Sequence, residues 1–97
     1  MITLEPVDGR KSFYGKAAIV NENGVAVCYS YNTPVAAFTL GKFYRLWGGY
    51  SATTMRHVDS FSVRMMGKRM GKKDWDALEV VSIEDVRKEL AEWAKVA

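Results

Sequence analysis

The sequence predicts one α+β domain, residues 1–97, in which an antiparallel β-meander is followed by helices. Three observations point to this fold. Residues 16–47 are rich in β-branched and aromatic residues and contain an Asn-Gly turn. After Gly48-Gly49 the apolar residues recur at helical spacing. The chain then closes with an amphipathic stripe behind a capping sequence, which is typical of a surface helix.

The meander is predicted to hold three to five strands. Lys16–Val20 and Val25–Tyr31 flank Asn23-Gly24, a pair that accepts the positive φ angles of a tight hairpin turn. Asn32-Thr33-Pro34 is expected to break the second strand. The remaining predicted strands are Val35–Thr39, Phe43–Trp47 and a candidate edge strand in residues 2–7.

A helix is predicted from about Ser51 to Met66, with apolar residues at positions 55, 58, 61 and 65. Ser51 is the expected N-cap because its hydroxyl can reach the amide of Thr54. Gly67 is the expected C-terminal stop. Residues 68–73 (KRMGKK) are predicted to form an exposed basic loop, and a short helical turn is possible around residues 74–78.

The last helix is predicted from a capping box, in which Ser82 precedes Asp85 by three residues. Its expected apolar stripe, packed on the domain, consists of Ile83, Val86, Leu90 and Trp93.

Composition excludes several classes of protein. Cys28 is the only cysteine, so an internally disulfide-stapled scaffold is excluded. No apolar run reaches the roughly 18 residues of a membrane-spanning helix. The first ten residues lack the basic leader and apolar core of a signal peptide, which favours a reducing cytoplasm.

Charge is distributed unevenly along the chain. Residues 41–73 carry eight basic side chains and one acidic one, whereas residues 74–97 carry seven acidic and three basic side chains. The basic segment predicts contact with a polyanion or an acidic protein surface, and the alternative is a solvated loop. The candidate contact residues are Arg56, His57, Arg64, Lys68, Arg69, Lys72 and Lys73, with Lys42 and Arg45 joining them if the fold brings them near.

Aromatic rings and acidic residues extend this hypothesis. Tyr29, Tyr31, Tyr44 and Tyr50 would offer base stacking if exposed, although strand tyrosines are often half-buried. The acidic positions of the last helix lie away from its apolar stripe and could imitate a phosphate backbone toward a basic partner. These positions are Glu84, Asp85, Glu89 and Glu92.

The only histidine, His57, has three interpretations. It belongs to a polar stripe with Thr53, Ser60 and Arg64, beside the apolar face of the predicted helix. A catalytic interpretation pairs it with Cys28 as base and nucleophile, yet no acidic residue is placed to orient the imidazole. A structural interpretation has His57 bond a neighbouring strand or loop, and a third gives it a contact role on a binding surface. One histidine and one cysteine do not predict a zinc site, and no glycine-rich phosphate loop predicts a cofactor.

The central residues resemble a pattern in a largely uncharacterised family of small proteins of phages and mobile elements, in which YNTxVA precedes YSxTTxxHxxxF. Here the pattern reads Tyr31-Asn32-Thr33-Pro34-Val35, then Tyr50-Ser51-Ala52-Thr53-Thr54, then His57, and the resemblance covers about residues 25–65. It implies a shared structural signature that fits a hydrogen-bonded junction between helix and sheet. The signature residues are Tyr31, Thr33, Tyr50, Ser51, Thr53, Thr54, His57 and Phe61.

Small proteins of this origin include anti-CRISPR inhibitors, which bind a Cas effector and block its nucleic acid. The resemblance therefore implies a non-catalytic binding protein of a bacterial host cytoplasm, with a Cas9-type ribonucleoprotein as the most concrete expected partner. The alternative is a small DNA- or RNA-binding accessory protein that uses residues 64–73. A thiol enzyme through Cys28 and His57 is the third hypothesis, and a homodimer through a sheet edge or an exposed Trp/Tyr surface suits so small a core.

Overall fold

The computed structural model describes residues 2–4 and 16–96. Five strands form one antiparallel sheet whose spatial order follows the chain, so the predicted α+β meander is confirmed. The strands are β1 (Ile2–Thr3), β2 (Ala17–Glu22), β3 (Val25–Ser30), β4 (Thr33–Thr39) and β5 (Lys42–Arg45). The helices are α1 (Ala52–Met66), α2 (Lys72–Asp76) and α3 (Ile83–Val96).

Each hairpin from β2 to β5 closes with a two-residue turn. The predicted Asn23-Gly24 turn is confirmed, with φ angles of 53° and 86°. Leu40-Gly41 forms the same kind of turn, with φ angles of 53° and 74°. Between β3 and β4 the turn is Tyr31-Asn32, and Tyr31 has φ 58°. Tyr31 was therefore wrongly predicted as a strand residue, since the chain reverses one residue earlier.

β4 begins earlier than predicted. The predicted break after the second strand is confirmed at the Tyr31-Asn32 turn. Thr33 pairs with Ser30 across the hairpin and Pro34 lies inside β4, so the break does not extend over these two residues as predicted. The register shifts beside Pro34, and such a bulge is where a sheet tolerates proline. β5 ends at Arg45, short of the predicted Trp47. The Leu46 amide still donates a 3.0 Å hydrogen bond to the Val35 carbonyl, and the Arg45 Nε donates a 2.8 Å bond to the Trp47 carbonyl.

Helices cover both faces of the sheet. α1 and α2 bury Val58, Phe61 and Trp75 on the face that carries Cys28. α3 buries Val86 on the opposite face. The strand residues beneath Val86 are Val25, Val27, Ala37 and Tyr44. Successive residues of β3 point to opposite faces of the sheet, so β3 contributes side chains to both cores.

The chain changes faces along β5. Val80 forms a parallel bridge with Arg45, and the amide of Val81 donates a 2.9 Å hydrogen bond to the Arg45 carbonyl. This segment lies between α2 and α3, so it carries the chain from the first core to the second.

The ends of α1 agree with the predictions. Ser51 is the N-cap, and its hydroxyl accepts a 3.1 Å hydrogen bond from the Thr54 amide. Gly67 ends the helix with φ 74°, and its amide donates to the Val63 carbonyl.

The predicted basic loop is shorter and more firmly held than expected. Lys72 and Lys73 belong to α2, so the loop comprises residues 67–71. Within it the Met70 side chain is buried, and the Lys68 carbonyl accepts a 2.8 Å hydrogen bond from the Ser62 hydroxyl. The segment is therefore tied to α1, because buried and hydrogen-bonded residues hold it there.

α3 has the predicted capping box: the Ser82 hydroxyl accepts from the Asp85 amide at 3.1 Å, and the Asp85 carboxylate accepts from the Ser82 amide at 3.0 Å. Val86 is fully buried and Leu90 partly so, but Trp93 is 53% exposed. The prediction that Trp93 packs on the domain is therefore wrong. Leu90 already lies beside the Gly24 turn at the end of the sheet, and the helix continues past it.

The candidate edge strand is confirmed as β1 for Ile2–Thr3, and residues 5–7 lie outside the described residues. No helix in the described ranges is long and apolar enough to cross a membrane.

Candidate functional site

A groove of about 340 Å³ lies where the segment before α1, α1 itself and the loop to α2 meet. Three of the predicted contact cations line it: Arg56 from α1, Arg69 from the loop and Lys72 from α2. Tyr50 stands at its edge and is half exposed. The remaining lining residues are Ala52, Met55, Asp59 and Met70. We refer to this feature as the basic groove.

Asp59 of α1 holds the loop residues Arg69 and Met70 at the basic groove. One of its carboxylate oxygens accepts a 2.6 Å hydrogen bond from the Arg69 Nε, and the other accepts a 2.8 Å bond from the Met70 amide. The carboxylate is mostly buried, whereas the Arg69 side chain is 61% exposed. Asp59 therefore fixes the loop against α1 and leaves part of the guanidinium facing solvent.

Lys72 connects the groove with α2. Its ammonium lies 5.1 Å from the centre of the Tyr50 ring and 2.8 Å from the Asp76 carboxylate. The hydrogen bond that the ammonium donates to Asp76 raises the pKa of Lys72, so the ammonium stays charged at neutral pH. An exposed ring and a fixed cation thus stand side by side at the mouth of the groove.

Other predicted contact residues lie elsewhere. Arg64 and Lys73 are exposed but do not line the groove, and Lys68 lines a neighbouring pocket. Lys42 forms an ion pair with Glu89 of α3 at 3.3 Å. Neither of the additional cations, Lys42 and Arg45, lines the groove.

Arg45 is a structural residue, because it is only 7% exposed. Its guanidinium donates hydrogen bonds to the carbonyls of Trp47, Gly49 and Trp75 at 2.8, 3.2 and 3.0 Å, and it lies 4.5 Å above the Trp75 ring. These bonds hold residues 47–49 beside α2. Tyr50 follows directly in the chain and lies at the groove.

The four candidate stacking tyrosines divide into two pairs. Tyr44 is buried and donates a 2.8 Å hydrogen bond to Glu89, and Tyr29 is half-buried. Burial and the Glu89 bond raise the pKa of Tyr44 to about 12. Tyr31 and Tyr50 are exposed, and of these Tyr50 lines the basic groove.

His57 lies at a junction between α1 and the sheet. Its side chain is 1% exposed, and its Nδ1 forms a 2.7 Å hydrogen bond with the Ser30 hydroxyl, which lies 3.3 Å from the Thr54 hydroxyl. The Tyr31 ring covers it at 5.9 Å between ring centres. Burial, assisted by the charge of Arg56, lowers the pKa of His57 to about 4. His57 is thus not exposed to contact a partner, and it is neutral near pH 7.

This junction is built from residues of the resemblance signature. Ser51 caps α1, Thr54 and His57 face β3, and Phe61 is fully buried against Phe43 with ring centres 5.6 Å apart. Thr53, by contrast, is exposed.

Cys28 is fully buried, and burial raises the pKa of its thiol to about 12. The Ser30 hydroxyl beside His57 is likewise only 3% exposed. Neither side chain is open to a substrate as the structure stands, and the thiol stays protonated at neutral pH. In the described part of the chain no group of three or more His, Cys, Asp or Glu side chains could hold a metal ion.

Sequence reasoning missed two features of the site. It left out Asp59, although this is the only acidic residue among eight basic ones in residues 41–73, which was a signal for an internal ion pair. It also named Tyr50 as a candidate stacking ring without its contact with Lys72. No local pattern reports that Tyr50 meets Lys72, because a contact between residues 22 positions apart depends on the tertiary fold.

Comparison with known proteins gives one match. The model of a family of unknown function, DUF8033, matches residues 2–77, which include the whole sheet, α1 and α2. No curated protein and no solved structure matches the chain.

Proposed function

We propose that this chain, which belongs to the family of unknown function DUF8033, is a non-catalytic binding protein that contacts nucleic acid through the basic groove. The observation that carries the proposal is the convergence of Arg56, Arg69 and Lys72 from three elements beside the exposed Tyr50 ring. Cations bind phosphates, and an exposed aromatic ring stacks on a base.

The charge of the whole chain supports this proposal. The formal net charge is +3 at pH 7, and the sequence pI is about 9.1, so the protein is cationic under physiological conditions. The groove belongs to the basic part of the chain, residues 41–73, which concentrates the attraction on one region. Phosphate contacts of this kind give affinity without sequence preference.

The test is a salt titration of binding to fluorescent single-stranded and double-stranded DNA and RNA. Arg56→Ala and Lys72→Ala should each weaken binding and lower the slope of log K against log salt by about 1. Lys88→Ala is the matched control, because Lys88 is an exposed cation on α3, away from the groove. The proposal is wrong if no binding is seen at about 50 mM salt or if all three variants bind alike.

A second candidate function is inhibition of a Cas9-type ribonucleoprotein, as the sequence resemblance implies. The observation that favours it is the acidic face of α3, where Glu84, Asp85 and Glu92 are exposed, whereas Glu89 bonds Tyr44 and Lys42 of β5. Such a face could occupy a nucleic-acid channel of a basic partner. Failure to bind any nucleic acid, together with inhibition of guide-directed cleavage by the effector, would favour this function over the first. We propose a bacterial cytoplasm as the compartment, as the sequence resemblance implies.

A further inference from the structure

The end of α3 carries an apolar side chain that has no packing surface beneath it in the described part of the chain. Trp93 follows Val86 by seven residues and Leu90 by three, so it continues the stripe that packs on the sheet. Leu90 lies beside the Gly24 turn, and the remaining six residues of α3 extend about 9 Å further. All residues from Ala91 to Lys95 are exposed.

A pocket opens at the same end of the sheet as the exposed end of α3, on the opposite face. It has a volume of about 490 Å³, and its floor contains Phe43, Met66 and Leu78. The Gly41 turn forms part of its wall, and in a meander this turn and the Gly24 turn lie at one end of the sheet. Methionine side chains adapt readily to an inserted ring, and the pocket is large enough for an indole.

The rim of this pocket is basic. It carries Lys42, Lys68 and Arg69 against the single acid Asp74. Lys42 pairs with Glu89 and Arg69 with Asp59, so Lys68 is the rim cation that can most readily meet an incoming acid. Glu92, the residue before Trp93, is exposed and has the complementary charge.

We propose that two copies of the chain associate by inserting Trp93 of each into the Phe43–Met66–Leu78 pocket of the other, with Glu92 meeting Lys68 of the partner copy. The anchor and the pocket lie at one end of the molecule, so a single two-fold axis satisfies both contacts. A buried tryptophan in an apolar pocket is the usual centre of binding energy at an interface. This inference uses a pocket that adjoins the basic groove and shares Arg69 and Met70 with it, and it goes beyond the proposed function.

The test is the oligomeric state without nucleic acid, measured by sedimentation equilibrium from about 1 µM to 1 mM protein. A monomer–dimer equilibrium is expected, and Trp93→Ala should raise its dissociation constant at least about tenfold. The monomer should stay folded because the Trp93 side chain is exposed. Val80→Ala is the control and should leave the constant unchanged, because Val80 is an exposed apolar residue that bridges Arg45, at the other end of β5 from the Gly41 turn.

Exchanging the charges of Lys68 and Glu92 tests whether these two residues meet across the dimer interface. Lys68→Glu and Glu92→Lys should each weaken the dimer, and the double variant should recover most of the loss. A protein that is monomeric at every concentration would overturn the proposal and leave the pocket for a different partner. A dimer that is unaffected by Trp93→Ala, or an assembly larger than a dimer, would equally contradict it.

Discussion

At the scale of single residues, His57 shows how burial changes the role of a polar side chain. Its position beside Thr53 and Arg64 along α1 suggested a surface or catalytic role, but the Tyr31 turn folds over it and Ser30 bonds its Nδ1. An imidazole held in this way stabilises the junction only while it is neutral, because protonation would place a charge in a dry site near Arg56.

Acid should therefore destabilise the protein through His57. The pKa of His57 is about 4 in the folded state and about 6.5 in the unfolded chain, so between these values the unfolded chain binds more protons. The free energy of unfolding should fall as the pH decreases from 6.5 toward 4, by up to about 3 kcal/mol. Urea denaturation at a series of pH values measures this change.

The variant His57→Gln isolates the contribution. His57 is the only histidine, so between pH 6.5 and 5 the variant should lose most of the pH dependence, while it is less stable than the natural protein at pH 7 by about 1–3 kcal/mol. If the free energy of unfolding of the variant depends on pH in this range as that of the natural protein does, the pKa of His57 is not lowered by folding.

At the scale of elements, residues 46–51 decide where α1 and the groove lie. The Gly49 carbonyl accepts hydrogen bonds from the Arg45 guanidinium at 3.2 Å and from the Trp75 indole at 3.4 Å. The Trp47 ring lies directly against Gly49, so that a Cβ there would come within 2.7 Å of the Trp47 Cε2. The connection between β5 and α1 is thus a packed element, although it has no regular secondary structure.

Gly49→Ala should destabilise the domain by about 1–3 kcal/mol, because the Trp47 ring must move to admit the methyl group. Gly48→Ala is the matched control, since a Cβ there meets the Val80 Cγ2 at an ordinary 3.7 Å. The measurement is the free energy of unfolding of both variants in urea. Equal free energies of unfolding of the two variants would show that the Trp47 ring can move without destabilising the domain.

At the scale of the whole molecule, α3 completes the second core. It lies outside the region matched by the family, residues 2–77, yet it covers the sheet face that carries Val25, Val27 and Tyr44. Full burial of a side chain such as Val86 contributes about 1.5–3 kcal/mol. Several such side chains together approach the total stability of a small domain, which is about 5–15 kcal/mol.

A chain that ends at Ser82 should therefore lose its cooperative unfolding transition and expose apolar surface to a hydrophobic dye. A chain that ends at Leu90 should keep its stability to within about 1 kcal/mol, because residues 91–95 are exposed. Near-ultraviolet circular dichroism and urea denaturation distinguish the two chains. A folded, cooperative chain ending at Ser82 would contradict the assignment of α3 to the core.

The sequence by itself determined the helix caps and one tight turn of this protein. The Asn23-Gly24 turn, the Ser51 and Ser82 caps and the Gly67 stop depend on interactions within about four residues, so their patterns are visible in the chain. The tertiary structure alone decided that helices cover both faces of the sheet, that Arg45 and His57 are buried, and that Arg56, Arg69 and Lys72 converge beside Tyr50. It also decided that Trp93 is exposed. The helical spacing of apolar residues predicts which face of α3 is apolar, but it does not predict where the sheet beneath that face ends.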